Sequence, residues 1–319
     1  MSPTPPELTF PDSIPDDLFA SGSVIQHPRF RALHARISEC LEATAEDGEP
    51  QCLCLIGETG VGKTTLTRTY AAAFPRHETP LGARTPILYL ETPHPITVKG
   101  MTSALLHALG DPRAFKGTQP EMNARLQGFL ADCGTRLVIL DDFHHLIDKQ
   151  TNHILRDVSE WLKVLIKNTG IVYLVVGIEG EVERILTANP QLSRLFVRER
   201  LRPFPWKQAD PETVRDFARL ISYVQATLAV TLSEQEPLPV TLFRIHQATG
   251  GVMSHIMNLF RQAKRIQRRL GEEHQPLTLA ILAAAYEERL QPAMGRHNPF
   301  WAAPAGAAPI DAAQVKADG

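Results

Sequence analysis

Cysteine is scarce in this sequence: four residues in 319, none at the spacing of a metal site. That leaves no disulfide framework and no zinc module. It suits a reducing compartment, with Cys52 and Cys54 in an apolar run reading as core. Aromatic residues make up only 7%. Neither sign of charge dominates, since 33 Lys+Arg face 35 Asp+Glu for a formal net charge of −2. A globally basic, histone-like chain is therefore excluded, and any nucleic-acid contact is confined to a local patch. No stretch of about eighteen uninterrupted apolar residues occurs, so a membrane-crossing helix is not expected. The opening residues MSPTPPELTF lack a charged-then-apolar leader. The expected setting is soluble and cytoplasmic. No internal repeat is present.

What the chain does contain is hydrophobic residues at 43%, enough for a large core or two modest domains. Residues 1–23, with five prolines by position 15, read as an extended arm. Phe30, Leu33, Ile37 and Leu41 recur at helical spacing and predict one amphipathic helix before the first strand. Continuously apolar runs follow at Cys52–Ile56, Ile87–Leu90, Leu137–Leu140 and Ile171–Val176, with a shorter candidate at Glu199–Pro203. They alternate with helical stretches, the pattern of a parallel sheet covered on both faces. From Pro211 onward the pattern is helical only, over roughly 211–229, 238–248, 252–270 and 277–290. The expected fold is α/β, a parallel sheet sandwiched by helices over 24–208, followed by a small all-helical domain over 209–291. A flexible tail over 292–319 carries one apolar island, Asn298–Trp301.

The strongest local signal is Gly57-Glu58-Thr59-Gly60-Val61-Gly62-Lys63-Thr64, directly after an apolar strand and before a helical run opening at Thr65. It matches the phosphate-loop pattern G-x-x-x-x-G-K-[ST] in the required strand–helix context. Glycines let the backbone close on phosphates, and the helix start presents unsatisfied N–H groups to an anion. Lys63 supplies charge to the terminal phosphates of ATP, and the Thr64 hydroxyl is a Mg²⁺ ligand. About seventy-five residues on, Leu137–Leu140 ends in Asp141-Asp142. An acidic residue at the carboxyl end of a buried strand lies at the ligand edge of such sheets, so Asp141 is the second metal-shell candidate. Asp142 is the candidate to orient the attacking water. His144 and His145, adjacent in sequence and without companion ligands, read as bulk near the strand end rather than as a metal site.

An arginine-rich segment follows the fourth strand: Arg184, Arg194, Arg198, Arg200 and Arg202. Arg194 is the candidate for a finger reaching a neighbouring subunit's nucleotide, with Arg198 and Arg200 as alternatives. Surface solvation accounts for any one of them equally well. His255, one turn into a lid helix, is a candidate nucleotide contact or an ordinary half-buried histidine. Arg261, Lys264, Arg265 and Arg268 form a stripe on that helix opposite Met253, Ile256, Met257, Phe260 and Ala263, a solvated face or an anionic-partner surface.

On Gly57–Thr64, the segment VILDDFHHL within Leu137–Leu146, Leu174–Gly177 and Thr249–Ala263, the chain resembles the TniB/TnsC group of transposition ATPases over roughly residues 24–290. The resemblance implies an ATP- and Mg²⁺-dependent regulator of DNA transposition. Such a protein polymerises as a ring or filament on duplex DNA and meets a separate transposase and a target-selection protein. It implies DNA-backbone contacts after the second strand, here His94–Gly100 and the 116–118 loop, so Lys99, Lys116 and Thr118 are the DNA-binding candidates. It suggests that Asn298–Trp301 docks the transposase or selector. Against the pattern of such ATPases, Asp142 stands for a glutamate, Ile178 for a polar sensor and His255 for an arginine. All three point to slow hydrolysis with binding retained. The alternative reading is a secretion-type AAA+ ATPase or another phosphate-loop switch without a DNA role.

Overall fold

The buried apolar runs become the strands of one parallel sheet. The structure, a computed structural model, describes residues 27–47, 49–80, 82–93, 97–144, 152–295 and 297–301. In chain order the elements are α1 (Pro28–Asp47), β1 (Cys52–Ile56), α2 (Lys63–Ala72), β2 (His77–Thr79), β3 (Gly82–Arg84), β4 (Ile87–Glu91), α3 (Val98–Leu109), α4 (Gln119–Asp132), β5 (Leu137–Asp141), α5 (Asn152–Thr169), β6 (Val172–Gly177), α6 (Glu181–Thr187), α7 (Pro190–Ser193) and β7 (Phe196–Arg200). Then come α8 (Pro211–Leu228), α9 (Leu238–Thr249), α10 (Met253–Leu270), α11 (Leu279–Arg289) and α12 (Gln291–Met294).

The main sheet runs β4-β5-β6-β1-β7, every pairing parallel. Strands β1, β5 and β6 are buried along their whole length, as strands covered on both faces must be. The last strand lies three residues earlier than the Glu199–Pro203 expected from sequence, because Phe196–Arg200 is an edge strand with mostly exposed side chains. A small antiparallel pair, β2 with β3, was not anticipated; its residues are exposed or half-buried and carry no apolar signal.

The chain forms two compact units, parting between Leu201 and Arg202. The first holds the sheet and helices α1–α7. Its core joins the inward faces of β1, β5 and β6 to α3, α4 and α5, with Leu126, Leu130, Val138, Leu140, Leu162 and Val175 fully buried. All four cysteines lie inside it, unpaired, and burial pushes the Cys52 and Cys54 thiols up to about 12. The second unit comprises His27, the loop tip Thr59–Gly62 and helices α8–α12. Phe217, Leu220, Ile256, Phe260, Leu282 and Tyr286 form its core. Its described residues contain no strand, only one bridge between Leu232 and Leu277. Asp210 and Thr278 cap the starts of α8 and α11 with their side chains. Gly250 and Gly271 end α9 and α10 in the left-handed conformation.

Of the tail expected over 292–319, Asn298–Trp301 packs onto this second unit. Asn298 Nδ2 donates to the Ala283 carbonyl and to Glu287, and Trp301 Nε1 donates to Glu287 at 2.7 Å. Arg244, held by Glu236, donates to the Pro299 carbonyl at 2.6 Å. Phe300 is buried beside Tyr286. The arm over 1–23 and the tail beyond 301 lie outside the described residues.

Candidate nucleotide site and nucleic-acid edge

Between β1 and α2 the chain must turn within six residues. Gly60 and Gly62 do this at φ of +84° and +107°, a region closed to most side chains. Helix α2 then starts at Lys63, and the buried Leu66, Thr67 and Tyr70 anchor it. Lys63 is itself buried, its Nζ donating to the carbonyls of Gly57 and Glu58 at 2.8 Å each. Burial holds its pKa below the usual lysine range, against the opposing pull of Asp141, Asp142 and Glu58. Thr64 is half-buried and Thr65 exposed in the first turn of α2.

Asp141 ends β5 fully buried. Its Oδ2 accepts from the Tyr89 hydroxyl at 2.6 Å and its Oδ1 from the Asp142 amide at 2.9 Å. Tyr89 in turn accepts from Arg68 Nε, and Arg68 pairs with Glu91 at 2.9 Å. Sequence reading missed Tyr89 and Arg68. Seeing them needs the β4–β5 register, which sets Glu91 opposite Asp141 and Tyr89 two residues behind. Asp142 has φ +52°, a strained backbone for a non-glycine residue, immediately after the strand end. His144 Nδ1 lies 3.9 Å from Asp142 Oδ1, while His145 is outside the described residues. Among the described residues no cluster of three or more His, Cys, Asp or Glu side chains could hold a metal alone.

The arginine segment resolves into distinct situations. Arg200 pairs with Glu179 at 2.9 Å and Glu183 at 3.6 Å. Arg198 donates to Ser193 Oγ and lies 3.9 Å from Glu183. Arg194, at the end of α7, is exposed and has no side-chain partner among the described residues. Ile178 is half-buried just beyond β6, and its neighbour Glu179 is engaged by Arg200.

In the second unit, the amide of Ser254 donates to the Gly60 carbonyl at 2.9 Å. The fit is close, since a Cβ on Gly60 would come 2.3 Å from Ser254 Oγ. Ser254 is thus the α10 residue that meets the loop tip. His255, the residue singled out in the sequence, places Nδ1 3.1 Å from the Thr249 carbonyl. The basic stripe of α10 is largely spent internally. Lys264 donates to the Leu228 carbonyl, Arg268 pairs with Glu273 and Arg269 with Glu288. Arg261 and Arg265 are exposed.

The three DNA candidates lie on α3 and on its connection to α4, in the first unit. Lys99 is exposed in the first turn of α3, whose cap Thr97 accepts from the Gly100 amide. Lys116 and Thr118 are exposed on the connection to α4. That connection doubles back along α3: Phe115 stacks near His107 in the last turn, and Gln119 Nε2 reaches Thr102 Oγ1 at 3.0 Å, one turn from Lys99. Asn123 Oδ1 locks the arrangement by accepting from Thr102, Gln119 and Trp161. The connection is thereby packed against α3.

A phosphate loop opening a helix inside a parallel β4-β5-β6-β1-β7 sheet, with a helical unit after the last strand, defines an AAA+ ATPase. The family model described as bacterial TniB protein matches residues 17–208, and the chain belongs to the TniB family. None of the curated proteins matches its sequence. Among solved structures, it is similar to ORC2 of Aeropyrum pernix in its ADPNP–ADP complexes, with a TM-score of 0.60 and 15% identity over 86% of this chain and 71% of that one. ORC1 of the same organism in complex with DNA gives 0.56 and 20% over 86% and 68%. Cdc6p from Pyrobaculum aerophilum gives 0.58 and 16% over 86% and 71%. At these identities the likeness is one of fold. Among the described residues no helix is long and apolar enough to cross a membrane.

Proposed function

We propose that this TniB-family ATPase is a DNA transposition regulator. It assembles as a homo-oligomer on duplex DNA when ATP is bound, marks the target, and engages a separate transposase and a target-selection protein of the same element. The observation that supports this reading is the exposure of Lys99, Lys116 and Thr118 on α3 and its connection to α4, in the unit that also holds Lys63 and Asp141. An ATPase centre and a surface suited to a phosphodiester backbone occur in one body of an otherwise near-neutral chain.

The backbone of 57–65 and Lys63 would hold the triphosphate. Lys63 spends its donors on backbone carbonyls, so no carboxylate has to be displaced for it to meet phosphate. Thr64 and Asp141 would complete the shell of Mg²⁺, and an all-oxygen donor set is what this hard cation prefers. When bound, the metal supplies charge neutralisation for the phosphates. Asp142 would polarise water, with a shorter reach than glutamate, and Arg194, exposed and without a side-chain partner among the described residues, would reach a neighbouring copy. With Ile178 offering no polar group, hydrolysis is slow and stimulated by assembly, and ATP-bound assemblies persist.

The test is electron microscopy and anisotropy with duplex DNA, Mg²⁺ and a non-hydrolysable ATP analogue. Nucleotide-dependent assemblies on DNA are expected. Nucleotide binding with particles that stay single and off DNA would favour the alternative, a phosphate-loop switch with no DNA role.

A further inference from the structure

We propose that Phe115 is an apolar DNA contact, set between two phosphate-directed cations, Arg113 and Lys116, on the connection from α3 to α4. The inference rests on the DNA-binding reading above and names the side chain of that connection that meets the groove. A single exposed apolar side chain means little by itself. Three features make this one different.

Phe115 is 69% exposed, more than any other large apolar residue among those described. The loop that presents it is nevertheless pinned from beneath. Arg125 pairs with the buried carboxylate of Asp111 at 3.0 Å, and its Nη2 donates to the carbonyls of both Arg113 and Lys116 at 2.9 Å. Asp111 Oδ1 also accepts from the Arg113 amide, and Ala114 is buried. The backbone is thus fixed on either side of Phe115, so presenting the ring to a partner costs little ordering. His107 lies beside the ring, with centroids 5.5 Å apart.

The local charge selects the partner. Arg113 and Lys116 are exposed on both sides of the ring. The nearby carboxylates are engaged, Asp111 by Arg125 and Glu121 by the Thr118 amide. An aromatic between exposed cations, three residues before the exposed Thr118, is complementary to a polyanion with apolar faces. The cations take phosphates, and the ring takes sugars and base edges without reading sequence.

The experiment is fluorescence anisotropy of a labelled duplex against the full chain with Mg²⁺-ATP over a range of salt. Phe115→Ala should weaken binding about tenfold at every salt concentration. It removes no charge, so the slope of log affinity against log salt should stay that of the parent. Phe115→Trp should keep the parental affinity. Lys116→Ala should instead flatten the slope by roughly one. Parental affinity in Phe115→Ala would overturn the proposal and leave the DNA reading standing. Failure of the parent protein to bind duplex would overturn both. If sedimentation without DNA showed that Phe115→Ala loses nucleotide-dependent self-association, the ring would be a contact between protein copies, and the proposal would fall.

Discussion

The hydroxyl of Tyr89 donates a 2.6 Å hydrogen bond to Oδ2 of Asp141, across the ladder that joins β4 to β5. The Asp142 amide takes the other oxygen. Burial first, and then the bond to Asp141, raise the Tyr89 pKa, so the phenol remains a donor throughout the physiological range. On the proposed reading of Asp141 as a Mg²⁺ ligand, Tyr89 acts through it as a positioning residue. A hydrogen bond to a carboxylate is worth about 1.5–3 kcal/mol. Tyr89→Phe should reduce the ratio of Mg²⁺-ATP affinity to metal-free ATP affinity by roughly tenfold. Equal loss in both affinities, measured by calorimetry with and without EDTA, would make Tyr89 merely structural.

Lys63→Ala removes the buried ammonium at the start of α2. ATP-dependent association with duplex DNA should disappear, read as anisotropy with and without nucleotide. Binding that stays nucleotide-dependent would remove Lys63 from the switch.

Arg194 is exposed and unpartnered among the described residues, whereas Arg198 and Arg200 are tied to their own subunit. Arg194→Ala should leave ATP binding by the monomer in place and lower hydrolysis by the assembly about 10³-fold. Mixing Arg194→Ala with Lys63→Ala should recover part of that activity, because each variant supplies what the other lacks at a shared boundary. No recovery, with Arg198→Ala behaving like Arg194→Ala, would argue against action in trans.

Gly251 takes φ +70°, and a Cβ there would meet the Phe204 carbonyl oxygen at 2.0 Å. Both partners are backbone, since Phe204 also donates its amide to the Gly251 carbonyl. Gly251→Ala should cost about 3 kcal/mol, seen as a lower denaturation midpoint for the helical unit. A change within about 0.5 kcal/mol would show that the turn yields easily.

His34 lies buried in α1 against Tyr70, with Nε2 3.2 Å from the Leu66 carbonyl. Burial lowers its pKa to about 4, against 6.5 for a free histidine. Between those values the unfolded chain binds more protons than the folded one, so acidification favours unfolding. The stability from this residue is complete above about pH 6.5 and is lost as pH falls toward 4, at most about 3 kcal/mol. His34→Gln should flatten the thermal midpoint between pH 6.5 and 4 relative to the parent.

Most of the sheet was legible because strands buried on both faces leave continuous apolar runs, as at Cys52–Ile56 and Leu137–Leu140. The phosphate loop was legible because its glycines and lysine are fixed by chemistry over eight residues. The edge strand Phe196–Arg200 was placed late because its exposed Arg198, Glu199 and Arg200 dilute the apolar signal. The Tyr89–Asp141 bond joins residues 52 apart in sequence and is invisible without strand pairing. The contact of Ser254 with Gly60 is not legible in the sequence, because it depends on the close approach of two backbones. The packing of the α3–α4 connection onto α3 through Gln119 and Thr102 is announced by no periodicity.

The seclusion of the thiols has a practical side. Cys40, Cys52, Cys54 and Cys133 are all shielded within the sheet-bearing unit, and burial raises the pKa of each thiol, so little reactive thiolate forms at neutral pH. A maleimide dye offered to the folded protein should therefore ignore the native sulfurs. A single Lys99→Cys or Trp301→Cys replacement could carry a fluorophore alone, turning either surface into an optical reporter without first stripping cysteine from the background.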